Sequence, residues 1–260
     1  MRHIGHKRKM SSGSDDEHTV VVMIRHGESH HETCTSENIL VRHVHDAETR
    51  RIINLIGYNP CLTPLGVEQA EETAKHLSAP LQRAKESGDV VVFCSPMNRA
   101  KDTLFQFQRT WNQPLRGVEP MYLKSLIEYY PQLQGTPERF VEQLFELFDK
   151  LQAVAAAARE RTTVLLFGHA VTLGALLTLM SIHKPGVART DHRRCVLERL
   201  ATPGASSIVN SSFELSNCSI SVARSVRLDT DDGQEWKVLS VGKDDHLRRS
   251  GIDSGAHSDF

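Results

Sequence analysis

Three short apolar runs constrain the fold of this chain more than anything else in it: TVVVMI at Thr19–Ile24, VVVFC at Val90–Cys94 and TVLLF at Thr163–Phe167. A strand with one wet face alternates apolar and polar residues. These runs do not alternate, so each reads as a strand buried on both faces, as in parallel sheets covered by helices. Between them the period becomes helical. Thr63 is placed as an N-cap with Pro64 at the first helical position, opening a helix through about Leu77. Met97–Trp111 reads as a second helix. Thr136-Pro137 opens a third, whose Phe140, Leu144, Leu147, Phe148 and Leu151 form a core-facing stripe running on to about Arg159. Ala170–Ile182 makes a fourth. Strands alternating with helices predict an α/β fold: a three-layer αβα sandwich with a mostly parallel central sheet. The end of the chain differs. Ser219–Leu228 and Glu235–Val241 flank Asp231-Asp232-Gly233, a hairpin signal that predicts an antiparallel edge hairpin near the C-terminus.

These patterns predict one domain over residues 18–242, with an inserted segment at about 30–58. A disordered tail is expected over 1–17, a surface loop over 202–212 and a flexible C-terminal tail over 243–260. Thr162–Ile182 carries no Asp, Glu, Lys or Arg and has the length of a membrane span. Gly168-His169 divides it into a strand-like and a helix-like half, so two buried elements account for it and no membrane partner is expected. The net charge of −1 lacks the basic excess that nucleic-acid binding requires. The five cysteines are odd in number and scattered, without CxxC or zinc-finger spacing, and read as reduced thiols. That fits a cytoplasmic protein, or a nuclear one if the basic run His6-Lys7-Arg8-Lys9 is an address.

In an open parallel sheet, functional groups gather at the carboxyl ends of the strands. Arg25-His26-Gly27 follows the first run, Ser95-Pro96-Met97-Asn98-Arg99 the second, and Gly168-His169-Ala170 the third. Any one of these is an ordinary strand-end residue. Two arginines and two histidines on one edge would repel one another without an anion, and the planar fork of arginine matches phosphate oxygens. Cys94 to Arg99 superficially has the shape of a cysteine-phosphatase loop, but the interval is one residue too short and contains no glycine. No GxxxxGK[ST] phosphate loop occurs.

Taken in order, RHGES at 25–29, LTPLGVEQA at 62–70, SPMNRAKDT at 95–103, LIE at 126–128 and GHA at 168–170 resemble the histidine phosphatase (phosphoglycerate mutase-like) superfamily over roughly residues 19–182. The stretch NCSISVARSV with WKVLSVGKDDHL is similar to the closing hairpin of many eukaryotic members. The resemblance implies that His26 is a nucleophile that becomes phosphorylated. It implies that Arg25, Arg99 and His169 bind the phosphoryl group and that Glu128 donates the proton. Glu119, also near a strand end, is the rival acid. The activity implied is phosphomonoester hydrolysis of a small phosphorylated metabolite or a phosphoprotein, with no metal and no organic cofactor. The alternatives are a mutase-type phosphotransferase and a catalytically silent phospho-ligand-binding module. All five core residues are present, which favours an enzyme. The mutases carry an E-R-x-Y/F-G-type stretch after the acid, whereas Glu128 is followed by Tyr-Tyr-Pro, which favours a phosphatase.

Two departures stand out. Family members often carry an asparagine contacting phosphate a few residues after RHGE, and here Glu32 stands near that place. The inserted segment HHETCTSENILVRHVHDAETRRI is rich in histidine and arginine. Arg42, Arg50 or Arg51 could grip substrate from it, or the segment could be a solvated helix. A metal site from His30, His31, His43 and His45 lacks supporting cysteine or carboxylate spacing.

Overall fold

The computed structural model describes residues 18–30, 59–86, 88–111, 118–129, 136–158, 161–201, 215–227 and 234–254. The strands are β1 (Thr19–Arg25), β2 (Gly88–Cys94), β3 (Met121–Tyr122), β4 (Arg161–Gly168), β5 (Ile220–Arg227) and β6 (Gln234–Lys243). The helices are α1 (Pro64–Glu86), α2 (Asn98–Thr110), α3 (Pro137–Ala157), α4 (Ala170–Ile182), α5 (Arg189–Ala201) and α6 (Asp245–Arg249). The sheet order is β3-β2-β4-β1-β5-β6. Strands β1 to β4 run parallel, β5 pairs antiparallel with β1, and β6 antiparallel with β5.

The unbroken apolar runs are explained by the packing of the two faces. Val21 and Met23 of β1, with Val164 and Leu166 of β4, join the cluster of Phe140, Leu144 and Phe148 from α3 and Leu176 from α4. The alternate residues Val22, Ile24, Leu165 and Phe167 join Ala74 and Leu77 of α1 and Leu104 and Phe107 of α2. Helices therefore cover both faces, and each fully buried large side chain contributes about 1.5–3 kcal/mol. Helix α4 is apolar all round because every residue from Val171 to Met180 is buried. No helix among the described residues is long and apolar enough to cross a membrane.

The structure departs from the sequence expectation in three places. Helix α1 continues nine residues past Leu77, through Pro80, to Glu86. Proline removes one intrahelical hydrogen bond, but Leu81 and Ala84 continue the buried stripe of Ala70, Ala74 and Leu77, and packing overrides the breaker. Helix α5 was not expected, because its sequence RTDHRRCVLERLA is mostly polar. It is tied to α3 by Arg189–Asp149 at 2.7 Å and Arg193–Glu142 at 2.6 Å, with Val196 buried. Fraying was expected beyond Lys243, yet residues 244–254 are packed against α1. Leu247 is fully buried, Ile252 packs beside it, and His246 stacks on His76 with ring centroids 4.9 Å apart. Polar composition concealed this segment because its buried polar groups satisfy one another. The tail at 1–17, residues 31–58 of the inserted segment, the 202–212 loop and the Asp-Gly turn lie outside the described residues.

Candidate active site

Parallel pairing of β1 with β4 sets Arg25 opposite Gly168, and His26 N–H donates to the Gly168 carbonyl at 3.0 Å. The next residue along each strand is thereby a histidine, and the rings of His26 and His169 lie edge-on with centroids 5.1 Å apart. Two glycines let the chain close over this edge. A Cβ on Gly27 would stand 2.5 Å from the Gly66 carbonyl oxygen, and one on Gly66 would stand 2.0 Å from that of Glu28. The start of α1 thus lies directly on the loop after β1. Thr63 caps the helix by accepting from Gly66 N–H at 3.0 Å, while its hydroxyl donates to Glu28 Oε1 at 2.8 Å. Gln69 Oε1 accepts from Glu28 N–H at 2.8 Å. From α2, Thr103 Oγ1 accepts from Gly27 N–H at 3.0 Å and donates to the Arg99 carbonyl at 2.7 Å. The RHGES, LTPLG and SPMNRAKDT stretches form one contact set.

His26, His169, Arg25, Arg99 and Glu128 are all buried, none more than 7% exposed. His26 Nδ1–H donates to the Gly27 carbonyl at 2.7 Å, and Nε2 accepts from Arg99 Nε–H at 3.0 Å. A carbonyl can only accept and a guanidinium can only donate, so the imidazole is neutral with its lone pair on Nε2. Burial drives the pKa of His26 well down. Arg99 and Arg25 push it the same way, against a smaller opposing pull from the Gly27 carbonyl. Burial likewise lowers His169, reinforced by Arg99, His26 and Arg25. Its Nε2 lies 2.8 Å from Ser95 Oγ and its Nδ1 3.4 Å from Glu128 Oε2. Glu128 Oε2 is also 3.8 Å from Arg99 Nη2. Burial raises the Glu128 carboxyl, outweighing the opposing pull of Arg99, Arg25 and the backbone N–H groups of Val171 and Tyr129. Two cationic forks, two neutral imidazoles and a carboxyl biased toward its acid form together suit an anion that accepts a nucleophile and then needs a proton.

His26, Glu128 and His169 also offer ligand atoms that lie within 4.8 Å of one another, a number sufficient for a metal. The fit is poor. Arg99 already donates to the His26 nitrogen that would ligate and sits beside the carboxylate, so a metal cation would face a guanidinium at contact range.

Residues 21–150, half of the chain, match the family model described as histidine phosphatase superfamily (branch 1). The chain belongs to the histidine phosphatase superfamily. Among solved structures it is similar to a mycobacterial glucosyl-3-phosphoglycerate phosphatase, at 13% identity and TM-score 0.51, covering 86% of this chain and 99% of that one. Phosphoglycerate mutase from Bacillus anthracis str. Sterne aligns at 15% identity and TM-score 0.50, over 91% and 98% of the two chains. Mycobacterial hydrolase 2 aligns at 14% identity and TM-score 0.50, over 92% and 99% of the two chains. At such identities the likeness is one of fold. No curated protein matches the chain significantly.

All five residues singled out from the sequence meet at this edge. The rival acid Glu119 is exposed. Cys94 is fully buried, burial pushes its thiol far up, and its Sγ–H donates to the Ser95 carbonyl at 3.2 Å, so it has none of the character of a nucleophile. Of the histidines considered as metal ligands, His30 is exposed, and His31, His43 and His45 lie outside the described residues, as do Glu32, Arg42, Arg50 and Arg51. Sequence reasoning missed Ser95, the partner of His169, although its place directly after β2 was a usable signal. It also missed Leu215, whose carbonyl accepts from Arg25 Nη1 at 2.5 Å. A backbone carbonyl 190 residues away leaves no trace in the side-chain pattern.

Proposed function

We propose that this protein is a metal-independent phosphomonoester hydrolase that works through a phosphohistidine at residue 26. One observation carries the reading: His26 is held between the Gly27 carbonyl and the Arg99 guanidinium, in the neutral tautomer a nucleophile needs. On substrate binding, the hydrogen bond donated by Arg99 Nε–H shifts from His26 Nε2 to a phosphoryl oxygen, freeing the Nε2 lone pair for attack. Nε2 attacks phosphorus, the ester P–O bond breaks, and Glu128 gives its proton to the departing alkoxide. Glu128 then takes a proton from water, which attacks the phosphohistidine. The P–N bond breaks, inorganic phosphate leaves and His26 returns to its neutral form. Arg25, Arg99 and His169 bind the phosphoryl oxygens through both steps. The structural relatives include a glucosyl-3-phosphoglycerate phosphatase and a phosphoglycerate mutase, and the substrate here is taken to be a phosphorylated small molecule or a phosphoprotein. The missing arginine–aromatic–glycine stretch after Glu128 favours hydrolysis over mutase chemistry.

A phosphoramidate is labile in acid and stable in alkali. Turnover of a radiolabelled slow substrate, quenched in base, should leave label on the peptide containing His26, and His26→Ala should abolish both label and activity. Normal turnover by that variant, or label on another residue, overturns the mechanism.

A further inference from the structure

The segment after β6 contains a buried carboxylate to which the chemistry above gives no part. Asp244 is 5% exposed. Its Oδ2 accepts from Ser254 Oγ at 2.7 Å, Ser216 Oγ at 2.9 Å and Arg248 Nη2 at 3.1 Å, while Oδ1 faces Arg248 Nε at 3.1 Å. Burial works to raise this carboxyl, but the two serines and the arginine outweigh it and hold it below the ordinary range. What Asp244 grips is the turn at residues 215–219, and that turn in turn grips the nucleophile loop. The Leu215 carbonyl accepts from Arg25 Nη1 at 2.5 Å, and the Ser219 carbonyl accepts from Arg25 N–H at 3.3 Å. Cys218 N–H donates to the His26 carbonyl at 3.2 Å, and Asn217 N–H donates to Ser254 O at 3.0 Å. Cys218 holds a left-handed backbone at φ 53°, a conformation that a side-chain-bearing residue keeps only where its surroundings over-determine it.

We propose that Asp244 is a positioning residue: it locks the 215–219 turn through Ser216, and the turn sets the guanidinium plane of Arg25 through the Leu215 carbonyl. This rests on the reading that Arg25 binds the phosphoryl group. A fork fixed at one nitrogen by a carbonyl presents its remaining N–H groups in one orientation, which is what a preorganised anion site requires. Asp244 lies beyond residues 21–150, the region matched by the family model.

The test measures kcat and KM on p-nitrophenyl phosphate and binding of inorganic phosphate by calorimetry. Both are run well below each variant's melting temperature. Asp244→Ala should weaken phosphate binding and raise KM by roughly tenfold or more, the scale of a misplaced binding group. Asp244→Asn, which keeps the size and one acceptor oxygen, should recover most of the loss. Ser250→Ala removes a different tie of α6, its hydroxyl to Glu72 Oε1 at 2.7 Å, and should leave both constants at wild-type values. If Asp244→Ala does not fold, Ser216→Ala breaks the same link and is read in its place. A lower melting temperature with unchanged KM and phosphate affinity overturns the proposal. Wild-type protein that binds no phosphate overturns the phosphatase reading itself, whereas phosphate binding that survives Asp244→Ala overturns only the positioning role.

Discussion

Two histidine pairs in this molecule have nearly the same spacing and opposite surroundings. His26 and His169 lie 5.1 Å apart at 62° on the carboxyl edge of the parallel sheet, and His76 and His246 lie 4.9 Å apart at 19° between α1 and α6. Both pairs contain a ring whose pKa burial lowers. The first pair meets two arginines and a carboxyl biased toward its acid form. The second meets Thr73, whose Oγ1 lies 2.8 Å from His246 Nε2, with the acidic Asp244, Glu72 and Asp245 nearby. A perturbed histidine pair therefore does not make a site. The convergence of cations on a neutral ring does, and the second pair serves as a packing seam for the C-terminal segment.

The largest expected separation concerns the proposed proton donor, Glu128, which the second pair lacks. Glu128→Gln should lower kcat/KM, which reports the phosphoryl transfer to His26, on an alkyl phosphate by about 10²–10⁴-fold, the range for general acid catalysis. It should cost far less on p-nitrophenyl phosphate, whose leaving group needs no proton. Rate–pH profiles sharpen this further. Because the Glu128 carboxyl is raised and must be protonated in the first step, wild-type kcat/KM on the alkyl phosphate should fall as pH climbs through its pKa, and the glutamine variant should lose that descending limb. Equal losses on both substrates would remove Glu128 as the acid.

A middle-sized effect should distinguish the two pairs directly. Arg99→Ala and His169→Ala should each cost about 10²-fold in kcat/KM, the usual scale for one preorganised donor. His76→Ala should leave kcat/KM at its wild-type value, because His76 is an exposed residue of α1 whose ring stacks on His246 rather than on the cationic edge. A comparable loss from His76→Ala would erase the distinction drawn here.

The smallest effect is on stability. His246 has a folded pKa of about 4 against 6.5 for the unfolded chain. Between those values the unfolded state binds the extra proton, so stability is fully present above about pH 6.5 and declines as pH falls toward 4. Thermal melts over that window should show a smaller decline for His246→Gln than for wild type. Parallel declines would mean that other groups dominate the acid response.

Much of the fold and the site was legible because both rest on short-range rules. Runs such as Val90–Cys94 declared strands buried on two faces, and the polar residues directly after them named Arg25, His26, Arg99 and His169. Glu128 was legible only through family resemblance. Helix α5 was not legible, because its apolar content is low and its ties to α3 are ion pairs between distant residues. The continuation of α1 through Pro80 was concealed for the complementary reason: a local breaker was overruled by burial of Leu81 and Ala84.

The sequence by itself determined the alternation of strand and helix, the parallel core and the identity of the groups brought to its carboxyl edge. Periodicity and strand-end position are properties of neighbouring residues, and hydrophobic burial converts them into layers without reference to anything distant. The tertiary structure alone decided the protonation of those groups, since the pKa of His26 depends on burial and on Arg99, 73 residues away. It also decided that polar residues 244–254 would pack rather than fray, because Asp244 finds Ser216 and Ser254 only once the hairpin has folded back. Through-space electrostatics and hydrogen bonds have no period along the chain, so no local pattern announces them.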